Sequence, residues 1–295
     1  MEEAVAFNTP TGSLLRLSGR VRLDGLWLGP AAAALAGALA SGSLRWNGHL
    51  LLLVILADLG WGNIWWAVAG TDWSTMRDRW NAWVSPETGS GTAVLPYMQP
   101  ASPAGRLVRW WADLRAWSRV ELWPERAAQL GAILIGLPVA LTLSAALGTE
   151  MVLMTLGVMA ISQMALFLGR ANGSPSPLAQ AIVEIGVPWL SGSLMFGRLD
   201  GAILAAAIGL ALAYVGLVLL GRGKQGGIWL ALGQMILVIV LLTMRHSLGA
   251  AAVGIFVLPQ LALLPWHTAG LGDLATVRLA QWPMLAAMFV AALAL

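Results

Sequence analysis

Cysteine is absent from the 295-residue sequence, tyrosine occurs only twice, and charged residues make up only 11% of the chain. Without cysteine there are no disulfides, no thiolate nucleophile and no metal or iron–sulfur site built on cysteine. The sequence also contains no Walker motif, no Gly-x-Ser-x-Gly motif and no glycine-rich dinucleotide-binding motif. Signals for β-strands are poor as well, so the missing features argue against the common nucleotide-binding and serine-hydrolase classes.

The composition of the chain is strongly apolar: 58% of its residues are hydrophobic, and its mean hydropathy is +0.76. These values lie far outside the range of soluble domains and predict an all-α integral membrane protein. The 34 glycines allow helices to approach closely in lipid, where no hydrophobic effect acts between helices. The pI of about 10.2 does not indicate nucleic acid, because the basic residues lie beside apolar runs, where anionic lipid headgroups are the commoner partner.

Apolar runs of about 17–25 residues are long enough to cross a bilayer as helices. The sequence contains nine such runs, and they define one transmembrane bundle over residues 25–295, preceded by a polar segment, 1–24. The predicted spans cover residues 25–42, 48–70, 127–147, 149–169, 178–197, 200–221, 226–245, 248–266 and 276–295.

The distribution of basic residues supports the nine-span topology. With nine spans, 14 of the 17 lysines and arginines lie in the N-terminal segment or in loops on the same side of the membrane. The positive-inside rule then places the N-terminus in the cytoplasm and the C-terminus outside. We therefore predict a multi-pass protein of the cell's inner (plasma) membrane, with residues 1–24 as a cytoplasmic segment.

One loop, residues 71–126, is much longer than the others and is predicted to be cytoplasmic. Its middle is rich in proline, glycine and serine and should be irregular. Its second half predicts an amphipathic helix at about 106–123, which typically lies in the headgroup plane of the membrane; the alternative is a lid over a site. The apolar arc of this helix comprises Leu107, Trp110, Trp111, Leu114, Trp117 and Leu122.

Two acidic residues lie in the interior of predicted spans, away from the span ends: Asp58 in the second and Glu184 in the fifth. A charge at bilayer depth costs about 2.5–3.5 kcal/mol or more, so such residues usually face a cavity, pair with a base or are protonated. Both are candidates for a catalytic role near a ligand, and the alternative is hydrogen bonding between helices. Asn63, in the same span as Asp58, is either another interhelical hydrogen-bonding residue or a substrate ligand.

The segment AIVEIGVPWLSGSLMFG, residues 181–197, follows ANGSPSP at 171–177. Together they resemble the fifth span and the preceding loop of the UbiA-type intramembrane prenyltransferases, in the chlorophyll and bacteriochlorophyll synthase branch. In that branch a Leu-Pro-Trp-Trp-Ala-Gly segment precedes a Leu-Phe-Gly ending. The plan of nine spans with a long cytoplasmic loop after the second is similar to the same family. The matching residues are Pro188, Trp189, Gly192, Phe196 and Gly197.

This resemblance implies transfer of a prenyl group from a prenyl diphosphate to an aromatic or tetrapyrrole acceptor, with Mg²⁺ held by acidic clusters after the second and sixth spans. The first cluster corresponds to GNIWWAVAGTDWSTMRD, residues 62–78, which offers only Asp72 and Asp78 as metal ligands. The second corresponds to LGRGKQGG, residues 220–227, which contains no acidic residue. Each Mg²⁺ usually needs a carboxylate besides the phosphates, so the metal site is interpreted as degenerate. The candidates for binding an anionic headgroup or a diphosphate without metal are Arg77, Arg79, Arg222 and Lys224.

The first functional prediction is therefore a UbiA-like protein without the metal-dependent activity. It acts as an accessory or structural subunit of a membrane complex, or it binds a prenylated lipid, a quinone or a pigment. The second is an active prenyltransferase of the same fold, with Mg²⁺ on Asp72 and Asp78. The third is a small-molecule transporter, which predicts internal repeats that the two halves of the sequence do not show. The expected partners are the bilayer, other membrane subunits, and a prenyl lipid or tetrapyrrole.

Overall fold

The computed structural model describes residues 29–44, 47–84, 102–167, 175–197, 199–268 and 274–295. The predicted cytoplasmic segment 1–24, the centre of the long loop and residues 171–174 of ANGSPSP lie outside these ranges. Within the described ranges, every regular element is helical. The predicted all-α class is therefore confirmed.

The described helices, numbered along the chain, are joined in three places by π-helical segments that continue the helix without a break. The segment π1 (Leu56–Gly62) joins α2 to α3, π2 (Ser118–Leu122) joins α5 to α6, and π3 (Ile182–Gly186) joins α8 to α9. The helices are α1 (Pro30–Ala40), α2 (Gly48–Ile55), α3 (Asn63–Val68), α4 (Ser74–Asn81), α5 (Pro103–Trp117), α6 (Trp123–Leu147), α7 (Thr149–Phe167), α8 (Pro177–Ala181), α9 (Val187–Met195), α10 (Gly201–Gly221), α11 (Gly227–Thr243), α12 (Ser247–Thr268) and α13 (Leu274–Ala294).

Six helical stretches of the described chain are long and apolar enough to cross a membrane. They are Gly48–Val68, Pro103–Leu147, Thr149–Leu166, Pro177–Met195, Gly201–Gly221 and Val277–Ala294. Shorter apolar helices lie in the other predicted spans, at Pro30–Ala40, Gly227–Thr243 and Ser247–Ala262. The chain is thus a multi-pass membrane protein, while the count of nine spans and the orientation of the termini stay predictions.

A single helical stretch of 45 residues runs from Pro103 to Leu147, although the sequence places an amphipathic helix and a separate span there. The join is π2, which ends two residues before Pro124; π3 likewise ends two residues before Pro188. Proline lacks an N–H and its ring clashes with the carbonyl four residues earlier, and a wider π-helical turn accommodates both effects. At about 1.5 Å per residue, this stretch is roughly twice as long as the apolar core of a bilayer is thick.

The helices α10 and α11 form an antiparallel hairpin whose backbones touch at glycines. A Cβ added at Gly233 would lie 2.3 Å from the backbone nitrogen of Ala213 and from the carbonyl oxygen of Gly209. Two turns along each helix, a Cβ added at Gly226 would lie 2.1 Å from the carbonyl oxygen of Gly216. Since lipid supplies no hydrophobic effect between helices, such close van der Waals contact is a main source of their association.

A second backbone contact of this kind joins α1 to α9. A Cβ added at Gly192 would lie 2.2 Å from the carbonyl oxygen of Ala34, and one added at Gly37 would lie 2.0 Å from the carbonyl oxygen of Trp189. The hydroxyl of Ser193 also donates a hydrogen bond of 2.9 Å to the carbonyl oxygen of Gly37. Because α9 continues π3, this contact fixes the π-helical turn that carries Glu184.

Candidate functional site

The two acidic residues in the interior of predicted spans lie in π-helical segments that pack against each other. Asp58 lies in π1 and Glu184 in π3, and these two segments are in contact. The exposed fraction is 9% for Asp58 and 0% for Glu184. The fold thus brings two side chains that are 126 positions apart in the chain into the same part of the bundle, in a backbone conformation that is frequent at functional sites.

The carboxylate of Glu184 accepts hydrogen bonds from two neighbouring elements. The hydroxyl of Tyr214, on α10, donates to Oε2 of Glu184 at 2.5 Å, and Nε2 of Gln180, on α8, donates to the same oxygen at 3.3 Å. Tyr214 is fully buried. The sequence prediction missed Tyr214, although a phenol within an apolar span normally needs a hydrogen-bond partner, and that need was the available signal.

Arg222 continues this series toward the end of α10. Its Nη2 donates to Oε1 of Gln180 at 2.7 Å, and its Nη1 donates to the carbonyl oxygen of Pro175 at 2.6 Å. The positive guanidinium of Arg222 thus contacts the amide of Gln180, and this amide contacts the carboxylate of Glu184. A positive charge therefore lies near the buried acid. These contacts tie α10 to α8 and π3, and they engage Arg222 in holding helices together.

The other sequence candidates do not converge on this buried centre. Oδ1 of Asp72 accepts from the backbone N–H and the hydroxyl of Ser74, at 3.0 and 2.6 Å, and so stabilises the start of α4. Asp78 is exposed, and Asn63 is buried and donates to the carbonyl oxygen of Leu59 in its own helix at 2.9 Å. Lys224 is exposed in the turn after α10. Within the described ranges, no three metal-ligating side chains are grouped to hold an ion.

Arg79 links α4 to the junction of α5 and α6. Its Nη1 donates to Oε1 of Glu125 at 2.5 Å and to Oε2 of Glu121 at 3.1 Å. The hydrogen bond to Glu125 and then that to Glu121 raise the pKa of Arg79 above its already high usual value, so the guanidinium stays charged at every physiological pH. Arg79 therefore holds α4 in place, which is a different role from the predicted binding of a diphosphate.

A shallow groove lies between α4 and the continuous helix α5–α6, and Arg77 is the sequence candidate that lines it. Its volume is about 380 Å³. Trp80 meets Trp117 edge to face across the groove, with ring centroids 5.3 Å apart. None of the described lining residues is acidic. These residues are Trp73, Met76, Arg77, Trp80, Trp110, Leu114, Trp117, Leu122 and Leu130. We call this feature the tryptophan groove.

The tryptophan groove continues in two directions. Toward the start of α5 it meets a second open groove of about 530 Å³, which shares Trp110 and is also lined by Pro103, Arg106 and Leu107. Along α6 it reaches Leu130, one helical turn before the exposed Leu134. An amphiphile with its headgroup among the tryptophans could therefore lay its tail along α6.

The wall on the α4 side is fixed at both ends. Nε1 of Trp73 donates to the carbonyl oxygens of Ala67 and Val68, at 3.1 and 3.0 Å, which anchors the start of α4 to the end of α3. At the other end, Arg79 makes its contacts with Glu121 and Glu125. Specific contacts thus hold the tryptophan groove in shape. Its four tryptophans come from two separate stretches of the chain.

We expect Arg79→Gln to loosen α4, because it removes the charged contacts at one end of that helix. Amide hydrogen exchange in Ser74–Asn81 should become faster by roughly two- to fivefold, as is usual for an exposed ion pair. High salt should speed exchange in the wild type toward the value of the variant and leave the variant unchanged. Arg109→Gln, an exposed arginine of α5, is the matched control; equal exchange in all three proteins would show that Arg79 does not hold α4.

No family model matches the chain, and neither a curated protein nor a solved structure matches it.

Proposed function

We propose that the protein binds a prenylated lipid, a quinone or a pigment in the tryptophan groove, and that it serves as an accessory or structural subunit of a membrane complex. The observation that carries this proposal is the groove itself. Tryptophans from α4 and α5 surround a space of about 380 Å³ at the end of an apolar helical stretch, next to the exposed guanidinium of Arg77. Ligand sites are typically concave, aromatic and apolar, with a few polar groups that orient the ligand.

The proposal includes nine spans in the inner membrane, with the N-terminus in the cytoplasm and the C-terminus outside. Two observations support it: each predicted span contains an apolar helix, and 14 of the 17 basic residues fall on one side in this topology. The tryptophan groove then lies at the cytoplasmic membrane surface. Tryptophan and arginine side chains suit this position because each has an apolar part that contacts acyl chains and a polar part that contacts headgroups.

Binding is favoured over prenyl transfer because the acidic residues of the UbiA-like segment already make contacts within the chain. Asp72 stabilises the start of α4, and Asp78 lies 3.7 Å from Nε of Arg77 on the exposed face of the same helix. The transferase alternative has its own test. Magnesium-dependent release of diphosphate from farnesyl diphosphate, lost in Asp72→Ala, would show that the protein is a prenyltransferase and would overturn the proposed binding function.

The proposal is tested with a photoactivatable geranylgeraniol analogue added to membranes that contain the full-length protein. We expect ultraviolet light to cross-link the probe to the wild type. In the double variant Trp80→Ala, Trp117→Ala we expect cross-linking to fall by about tenfold or more, because buried aromatic contacts dominate binding energy. The matched control is Trp229→Ala, which removes a tryptophan that is 41% exposed on α11, away from the groove.

In that control, cross-linking should stay at the wild-type level. Equal cross-linking of the wild type and the double variant would contradict the proposed function, because the probe would then reside elsewhere on the protein. Competition by unlabelled geranylgeraniol should lower the wild-type signal, which separates a saturable site from general partition into the bilayer.

A further inference from the structure

The proposed function leaves three chemical classes of ligand open, and the groove itself distinguishes them. Its lining contains one buried polar hydrogen without a partner: Nε1 of Trp117 has no hydrogen-bond acceptor among the described residues, and Trp117 is only 7% exposed. A buried indole N–H normally has an acceptor, and leaving it unpaired costs about 1–3 kcal/mol. An acceptor supplied by a ligand would satisfy it.

Other properties of the lining restrict what that acceptor is. Arg77 offers further donors: its side chain is 75% exposed, and its Nε approaches Asp78 to 3.7 Å, too far for a strong hydrogen bond. The described lining contains donors and aromatic rings but no carboxylate. Such a site suits a flat headgroup that carries acceptors and no donors.

We propose that the ligand of the tryptophan groove is a prenylated quinone, whose ring lies among the tryptophan rings and whose carbonyl oxygen accepts from Nε1 of Trp117. This inference rests on the proposed function and names its ligand. A quinone ring is planar and stacks on indole, and its two carbonyls are acceptors only. The volume of about 380 Å³ suits a single-ring headgroup, whereas a tetrapyrrole has four pyrrole-type rings in one macrocycle.

Access to Trp117 involves the α4 side of the groove. The indole nitrogen of Trp117 is covered by neighbouring atoms, and the Trp80 and Trp117 rings are in T-shaped contact with centroids 5.3 Å apart. A ligand that reaches this nitrogen therefore displaces atoms that cover it, and the Trp80 ring is the aromatic neighbour contributed by α4. Since Trp80 lies on α4 next to Arg79, the contacts of Arg79 with Glu121 and Glu125 set how easily that wall moves.

The test compares two ligands with the same tail on the purified full-length protein: a benzoquinone with a decyl chain, and decylbenzene, which lacks the carbonyls. Bound and free ligand are separated and measured by absorbance. We expect the wild type to bind the quinone more tightly. In Trp117→Phe, which keeps an aromatic ring and removes the N–H, quinone affinity should fall by roughly three- to tenfold while decylbenzene affinity stays nearly unchanged. Trp229→Phe is the matched control and should change neither affinity.

The outcomes separate this inference from the proposed function. If both ligands bind and Trp117→Phe lowers neither or both alike, the quinone assignment falls while the lipid-binding groove stands. If farnesyl diphosphate binds more tightly than the quinone, the headgroup is an anion held by Arg77, and the quinone assignment is overturned. If neither decyl ligand binds to the wild type, the quinone assignment fails, and the proposed function is decided separately by the geranylgeraniol cross-link.

Discussion

Gly233→Ala is expected to destabilise the helical bundle by about 3 kcal/mol, at the upper end of what overpacking usually costs. The added Cβ would lie 2.3 Å from the backbone nitrogen of Ala213 and from the carbonyl oxygen of Gly209, and 2.8 Å from the Cα of Ala213. Backbone atoms cannot rotate away as a side chain can, so α10 and α11 must separate. Separation forfeits the close contact that stabilises helix pairs in lipid.

The measurement for this prediction is unfolding of the purified protein in mixed micelles of mild detergent and sodium dodecyl sulfate. The matched control is Gly254→Ala on α12, where an added Cβ meets no atom within 4 Å. That control should be neutral or stabilise by about 0.5–1 kcal/mol, because alanine loses less backbone entropy in a helix than glycine does. If both variants unfold at the same detergent fraction, the hairpin contact does not hold the bundle together.

Glu184→Ala is expected to have an effect of comparable or larger size, a destabilisation of about 2–5 kcal/mol. The substitution leaves the hydroxyl of Tyr214 and Nε2 of Gln180 buried without their acceptor, and an unsatisfied buried donor costs about 1–3 kcal/mol. It also creates a cavity in a fully enclosed position. Glu150→Ala, an exposed acid in the first turn of α7, is the control and should change stability by less than about 0.5 kcal/mol.

A double-mutant cycle isolates the hydrogen bond from the cavity. Tyr214→Phe and Glu184→Leu, which fills the site without an acceptor, alone and combined, should give a coupling free energy of about 1 kcal/mol, within the range found for hydrogen bonds in membrane bundles. Additive effects would show that the two side chains do not interact. The loss would then belong to packing alone, and the hydrogen bond between Tyr214 and Glu184 would not stabilise the bundle.

The sequence predicts the helical part of the fold well because membrane spans are set by a simple rule. Backbone polar groups must be paired within the segment in lipid, so long apolar runs can only be helices. The glycine contacts follow a spacing that is visible in the sequence. Gly209 and Gly216 are seven residues apart, as are Gly226 and Gly233, so each pair lies on one helix face about two turns apart.

The π-helical joins and the tryptophan groove were not predictable in the same way. The sequence predicts an amphipathic helix at about 106–123 and a separate span at 127–147, but a π-helical turn before Pro124 lets α5 and α6 run on as one helix. The predicted apolar arc of residues 106–123 also proved to be divided. Trp117 and Leu114 turn toward α4 and line the groove, while Leu107 and Trp111 are exposed. Which side faces α4 depends on Arg79, Glu121 and Glu125, whose pairing spans more than 40 positions of the chain.

The acidic residues show the same limit. Periodicity and hydropathy locate Asp58 and Glu184 inside spans, but they say nothing about the partner that each meets. Tyr214 and Arg222 reach Glu184 and Gln180 from another helix, and only the packed bundle shows that this arginine is engaged in holding helices. From the sequence, a basic residue near an apolar run is predicted to bind a headgroup, whereas in the fold this arginine links two helices.

The most direct measurement is the position of the cross-link made by the geranylgeraniol probe, found by mass spectrometry of peptides from the labelled wild-type protein. We expect the label on the two stretches that form the tryptophan groove, residues 73–80 and 110–130. Label spread over α10 to α13, with none on these two stretches, would contradict a lipid-binding groove between α4 and the α5–α6 helix.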